Sequence, residues 1–166
     1  MIPYIAQDYY DALVKLHTEI GDSKSGVEVG LGWGTSAQAY LNTHVKAHLD
    51  SIEQADYHRI FKKIKEQYGN RIDVIVGRTP DVYIQEPLSM YDFAFIDGAH
   101  DFDSVMWDIS GILPHVNEGG IIAFDDYGVE GTTEEGFPHG VKRAVDFVFK
   151  YKPIFLERNI IAFRKE

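Results

Sequence analysis

The segment Glu28-Val29-Gly30-Leu31-Gly32-Trp33-Gly34 constrains this chain more than any other. It continues a short run, Gly26-Val27-Glu28-Val29, that reads as a strand. Three glycines at alternate positions let the backbone turn tightly and come close to a ligand. Thr35 or Ser36 then offers an N-cap for a helix running through Leu41. A strand that turns through glycines into a helix is the opening unit of a parallel α/β sheet.

The rest of the chain repeats that alternation. Tyr9, Leu13, Leu16 and Ile20 recur at helical spacing, and Gly21 is a stop. Residues 45–50 read as a second strand. Tyr57, Ile60, Phe61, Ile64 and Tyr68 form one face of a helix. Residues 72–76 are rich in β-branched side chains and end at Gly77. Phe93-Ala94-Phe95-Ile96 is continuously apolar, as a strand covered on both faces should be. Phe102, Val105, Ile109 and Ile112 mark a helix, and Gly119-Gly120 leads into the buried strand 121–124. A glycine-rich stretch, 127–140, follows; its glutamates Glu130, Glu134 and Glu135 read as a solvated loop, or the segment is a lid. Val141, Ala144, Val145 and Val148 predict a last helix, and 153–157 with 159–164 a closing antiparallel pair. The expectation is one α/β domain over 1–166, with about seven strands, mostly parallel, and helices on both faces.

Composition narrows the function. Lys plus Arg is 16 and Asp plus Glu is 26, a net charge of −10. That argues against a nucleic-acid backbone or an anionic membrane surface as the main partner, since both need a basic face. The chain has no cysteine, so disulfides, thiolate metal sites and cysteine nucleophiles are excluded. No apolar run approaches a membrane span, and the start MIPYIAQDYY lacks the basic lead of a signal peptide. A cytoplasmic location is the default expectation.

In such sheets ligands bind beyond the carboxyl ends of the strands. Glu28, Asp50, Asp97, Asp125 and Asp126 all fall at or near predicted strand ends. Asp50 lies 50 − 30 = 20 positions after the first loop glycine, where a carboxylate can accept ribose hydroxyls; Glu53 competes for that role. The pattern departs from the dinucleotide fingerprint, because Thr35 stands where its last glycine belongs. A mouth lined by carboxylates suits a cationic nucleoside better than a pyrophosphate.

At these residues the chain resembles the class I S-adenosylmethionine-dependent methyltransferases. Glu28 to Gly34 matches that family's E/D-x-G-x-G-x-G loop. Residues 91–100, ending Ile96-Asp97-Gly98-Ala99-His100, resemble its fourth strand and catalytic turn, and 119–127 its fifth strand. The pattern is closest to small O-methyltransferases of the catechol and caffeoyl-CoA type and their sugar- and macrolide-modifying relatives. The resemblance implies a Rossmann-like methyltransferase sandwich, a mostly parallel seven-stranded sheet with an antiparallel last strand.

It further implies that Gly30, Gly32 and Gly34 hold the methionine part of S-adenosylmethionine. Glu28 would orient the loop or the amino group, and Asp50 would take the ribose. Gly77 and Arg78, with Thr79, would flank adenine. Asp97 and His100 would take the acceptor's proton, with Asp97 also near the cofactor. Asp97, Asp125 and Asp126 match the positions that hold magnesium or calcium in metal-dependent relatives. Plainer readings compete: Asp97 as a helix cap, Asp125 and Asp126 as a solvated turn, His100 as a structural polar residue. Trp33 reads as packing and Tyr9 and Tyr10 as core, while His139 is a substrate-contact candidate. The methyl acceptor would be a small molecule, held by 127–140, the N-terminal residues or the second copy of a homodimer. A nicotinamide-dependent oxidoreductase and a non-catalytic binding module are the rival readings.

Overall fold

A computed structural model describes residues 7–54, 58–79, 81–82, 89–134 and 136–166. Tyr57, Glu135 and the first six residues, which figure in the sequence reading, lie outside that set.

The strands are β1 (Ser25–Val29), β2 (His48–Glu53), β3 (Ile72–Val76), β4 (Tyr91–Ile96), β5 (Val116–Phe124), β6 (Phe155–Glu157) and β7 (Ile160–Arg164). They form a seven-stranded sheet in the order β3-β2-β1-β4-β5-β7-β6. The pairs from β3 through β5 are parallel, and β7 runs antiparallel to both β5 and β6. The order reverses between β1 and β4, so the loops after these two strands open a crevice between them.

Side-chain alternation along the central strands divides the core in two. Phe93, Phe95, Ile121 and Ala123 face one layer, packed against α1 (Gln7–Ile20), α2 (Thr35–Thr43) and α3 (His58–Tyr68). Ala94, Ile96, Ile122 and Phe124 face the other, packed against α4 (Phe102–Ile112) and α5 (Val141–Val148). Both faces are covered, which is why these strands read as unbroken apolar runs. The predicted helix faces reach the core as expected: Leu13 and Leu16 of α1 and Ile64 of α3 are completely buried. Burying a side chain of that size contributes roughly 1.5–3 kcal/mol.

Two local expectations are corrected. The second strand runs from His48 to Glu53, three residues later than 45–50, and Val45 is exposed in the turn after α2. Neither Thr35 nor Ser36 caps α2; its N-cap is Gly34, with no side-chain cap bond. His17 and His44 lie against Tyr40 in the core. Burial pushes the His17 imidazole down to about 3, so it stays neutral.

The turns after β1 and β4 meet closely at Gly30. Its φ is +92°, and a Cβ there would stand 2.1 Å from the carbonyl oxygen of Asp97. Gly32, with φ +45°, has nothing within 4 Å of the same position. Gly32→Ala is therefore expected to cost about 1 kcal/mol, the left-handed penalty alone. Gly30→Ala must also push β1 and β4 apart, at roughly 3 kcal/mol or more. Urea unfolding of the two variants checks the difference; equal midpoints would contradict it.

Candidate active site

A cleft of about 590 Å³ opens beyond the carboxyl ends of β1, β2, β3 and β4. Of the residues expected at the cofactor, Gly30, Gly32, Gly77, Arg78 and Asp97 line it. Glu28, Gly34 and Asp50 are not in its lining. Gly34 instead faces α3, where a Cβ would meet Ile64 at 2.0 Å.

Glu28 lies one residue before the end of β1. It is only 1% exposed, and its carboxylate accepts from Ser36 at 2.7 Å and Ser51 at 2.8 Å. It thereby ties the start of α2 to β2 beneath the glycine turn. Burial pushes its carboxyl up to about 7, against the pull of the two serine hydrogen bonds.

Asp50 is three residues short of the strand end, because β2 extends to Glu53. Its carboxylate accepts from the Tyr91 hydroxyl at 2.6 Å and contacts His48 Nε2 at 3.0 Å. It cross-links strands in the lower half of the sheet. Glu53, the competitor, stands at the mouth. Its Oε2 accepts from the backbone N–H of Leu31 at 2.9 Å and Gly32 at 3.2 Å. Glu53, rather than Asp50, thus stands at the end of β2, as the spacing rule counts residues while the strand end is set by pairing with Val76. Trp33 is no packing residue: it is 61% exposed and lines the cleft.

The second half of the site follows β4 and β5. Asp97 does not cap α4; Asp101 does, accepting from the N–H groups of Asp103 and Ser104 at 3.1 Å. Asp97 faces the cleft, with Nε2 of His100 3.4 Å from its Oδ1. Burial raises the proton affinity of Asp97, and the neighbouring His100 opposes this. The Asp97 contact raises His100 in turn, reinforced by Asp126 and Asp125. A proton is therefore readily held between the two.

Asp125 points elsewhere. Its Oδ2 accepts from the Tyr9 hydroxyl of α1, and its Oδ1 from the Asp126 N–H at 2.8 Å. Tyr9 was expected in the core, and no local sequence signal ties it to a residue 116 positions away. Tyr10 likewise is only partly buried, and its hydroxyl accepts from Asn42. Among the described residues, two groups bring ligand atoms within 4.8 Å of one another: His100–Asp126–His139 and His48–Asp50–Asp73. Asp97 and Asp125 belong to neither, so the three aspartates expected at a metal do not bring their oxygens within 4.8 Å of one another as a set.

The sequence profile of a family described as "Methyltransferase domain" matches residues 27–127, which span β1 through the turn after β5. The chain belongs to this methyltransferase domain family. Solved structures agree on the fold. A Staphylococcus aureus protein, given as a proposed caffeoyl-CoA O-methyltransferase, is 18% identical with a TM-score of 0.72, over 99% of this chain and 86% of that one. A Bacillus cereus O-methyltransferase in complex with SAH is 16% identical with a TM-score of 0.70, over 99% and 83%. An O-methyltransferase family protein from Burkholderia thailandensis is 14% identical with a TM-score of 0.75, over 96% of this chain but 56% of that one. No curated protein matches the chain in sequence. The sheet is thus the Rossmann-like methyltransferase sandwich expected above. No helix among the described residues is long and apolar enough to cross a membrane.

The buried Glu28 of this methyltransferase domain gives a stability prediction. Unfolded, it ionises near 4.5; folded, near 7. Between those values the folded chain holds a proton that the unfolded chain has lost, so its contribution falls as pH rises. The full drop is about 3 kcal/mol at 1.36 kcal/mol per unit. Glu28→Gln is expected to flatten the pH dependence of unfolding free energy between pH 5 and 7 relative to the parent. Parallel curves from urea titrations would contradict the assignment.

Proposed function

We propose that this domain transfers the methyl group of S-adenosylmethionine to an oxygen atom of a small-molecule acceptor. The observation that carries the reading is Glu53. It lines the cleft at the end of β2 while bonded to the amides of the glycine loop, so one carboxylate couples the ribose position to the methionine position. The cleft's charge supports the same donor. Glu53, Asp97, Asp126 and Glu134 line it, and Arg78 is the single Lys or Arg among its described lining residues. Such a wall favours a sulfonium and an ammonium over a pyrophosphate.

The chemistry is an in-line displacement. The acceptor oxygen forms a bond to the methyl carbon as the carbon–sulfur bond breaks, and S-adenosylhomocysteine leaves. The acceptor's proton passes to Asp97 or His100. Alignment of donor and acceptor can supply roughly 7–11 kcal/mol, and a positioned base a further factor of about 100 or more. In this reading adenine lies against Arg78 and Thr79, which line the cleft after β3. Val129, Thr132 and Thr133, from the segment between β5 and α5, complete the acceptor side.

Calorimetry with S-adenosylhomocysteine tests the donor. Saturable binding is expected, weakened at least tenfold by Glu53→Gln and unchanged by Asp50→Asn. The reverse ranking would return the ribose to Asp50, and no binding to the parent would remove the reading. For the base, Asp97→Asn is expected to lower kcat by about 100-fold or more while the protein still folds. A methyl-transfer assay on any acceptor found by screening checks this; an unchanged kcat would clear Asp97 of the role.

A further inference from the structure

α5 buries Val141, Ala144 and Val145 against the sheet, which leaves Lys142, Arg143, Asp146 and Phe147 on its outer face. The segment before the helix crosses the turn after β4, through an isolated antiparallel bridge between His139 and Asp101. A Cβ at Gly140 would stand 2.2 Å from the backbone nitrogen of Phe102, so the two segments touch there. The crossing sets α5 beside the first turn of α4. Arg143 then lies over the Phe102 ring, its Cζ 3.9 Å from the ring centre. These residues wall a second cavity of about 770 Å³, together with Phe147 and Lys150. Val129 and His139 line both this cavity and the cleft, so the two spaces adjoin.

The two spaces differ in charge. The described lining of the cleft holds four carboxylates and one arginine. Lys142, Arg143 and Lys150 line the second cavity, against Glu130 and Asp146. Asp146 is already taken: it pairs with Lys142 at 2.5 Å and accepts from the Tyr127 hydroxyl at 2.7 Å. Among the described residues, no carboxylate pairs with Arg143 or Lys150. Arg143 is held by a ring face instead, so its position is fixed while its N–H donors stay unspent. On a chain of net charge −10, two cations without carboxylate partners meet in one cavity beside the candidate active site.

We propose that this cavity holds an anionic group of the methyl acceptor, a phosphate or a carboxylate, with Arg143 and Lys150 as its partners. The inference rests on the methyl transfer proposed above. The acceptor oxygen faces Asp97 in the cleft, and the anion reaches past Val129 and His139, the substrate-contact candidate of the sequence. A guanidinium offers paired donors that match two oxygens of either anion. The volume lies within the range of small-molecule sites, roughly 300–1,000 Å³, so it admits more than the charged group alone. The acidic wall attracts the cationic donor and the basic wall the anionic acceptor, and each wall repels the other ligand.

The test is a titration of the full chain with phenyl phosphate, benzoate and benzyl alcohol, followed by amide NMR shifts. The probes share a ring and differ in charge. Saturable shifts over residues 128–131 and 139–150 are expected with at least one anion, bound roughly tenfold or more tighter than benzyl alcohol. The tighter of the two anions identifies the group as phosphate or carboxylate. Arg143→Gln and Lys150→Gln should each weaken that anion roughly tenfold. Both side chains are exposed, so the variants keep the fold, which circular dichroism checks. Lys63→Gln, on α3, should leave binding unchanged. The shifts should persist under saturating S-adenosylhomocysteine, because the donor occupies the cleft. Equal affinity for benzyl alcohol, anion binding that both substitutions leave intact, or displacement of the anion by S-adenosylhomocysteine would overturn the site. S-adenosylhomocysteine binding with no anion binding would remove the acceptor class and leave the reaction standing. Anion binding without S-adenosylhomocysteine binding would remove the reaction, and with it the acceptor role of the cavity.

Discussion

Gly30 is the point at which three strands are tied together. Its amide donates to the Ile52 carbonyl of β2 at 2.9 Å, and the Val29 carbonyl accepts from the Asp97 amide at 2.9 Å. The Asp97 carbonyl occupies the space a side chain on Gly30 would need. This knot fixes the ends of β1, β2 and β4 relative to one another. Glu53 and Asp97 follow directly from two of those ends, so the two carboxylates that face the cleft are positioned by one backbone junction. Preorganisation of this kind is what an alignment-driven displacement needs.

The carboxylates around that junction divide the work by depth. Glu28 lies beneath the loop and spends its oxygens on Ser36 and Ser51. Asp108, buried below Gly98, is pushed up to about 6 by burial, with the Thr79 hydroxyl bond opposing. It links the turn after β4 to the turn after β3. Asp97 and Glu53 stand above them and face the cleft. The buried set costs stability as it ionises, and it holds the turns that present the upper set. An acidic chain therefore uses similar residues for two tasks, and burial separates them.

Much of this was legible in the sequence. The apolar runs 93–96 and 121–124 identified the central strands because both faces of the sheet are covered. The closing pair and the helix faces followed from period alone. The second strand was placed too early because Val45 and Ala47 look like strand residues, while the buried Ser51 does not; its burial comes from the bond to Glu28. That shift put Asp50 at the expected strand end, where Glu53, three residues on, stands. Tyr9 and the stacking of His139 on His100 left no local trace. Each depends on a contact between segments far apart in the chain, which hydrophobic spacing does not encode.

The central claim is that one cofactor spans the glycine loop and the end of β2. A crystal structure of the chain soaked with S-adenosylhomocysteine tests it most directly. The account places the ribose hydroxyls on Glu53, the methionine part along Gly30 and Gly32, and the sulfur facing Asp97. Density for the ligand at Asp50, or anywhere outside this cleft, would contradict it.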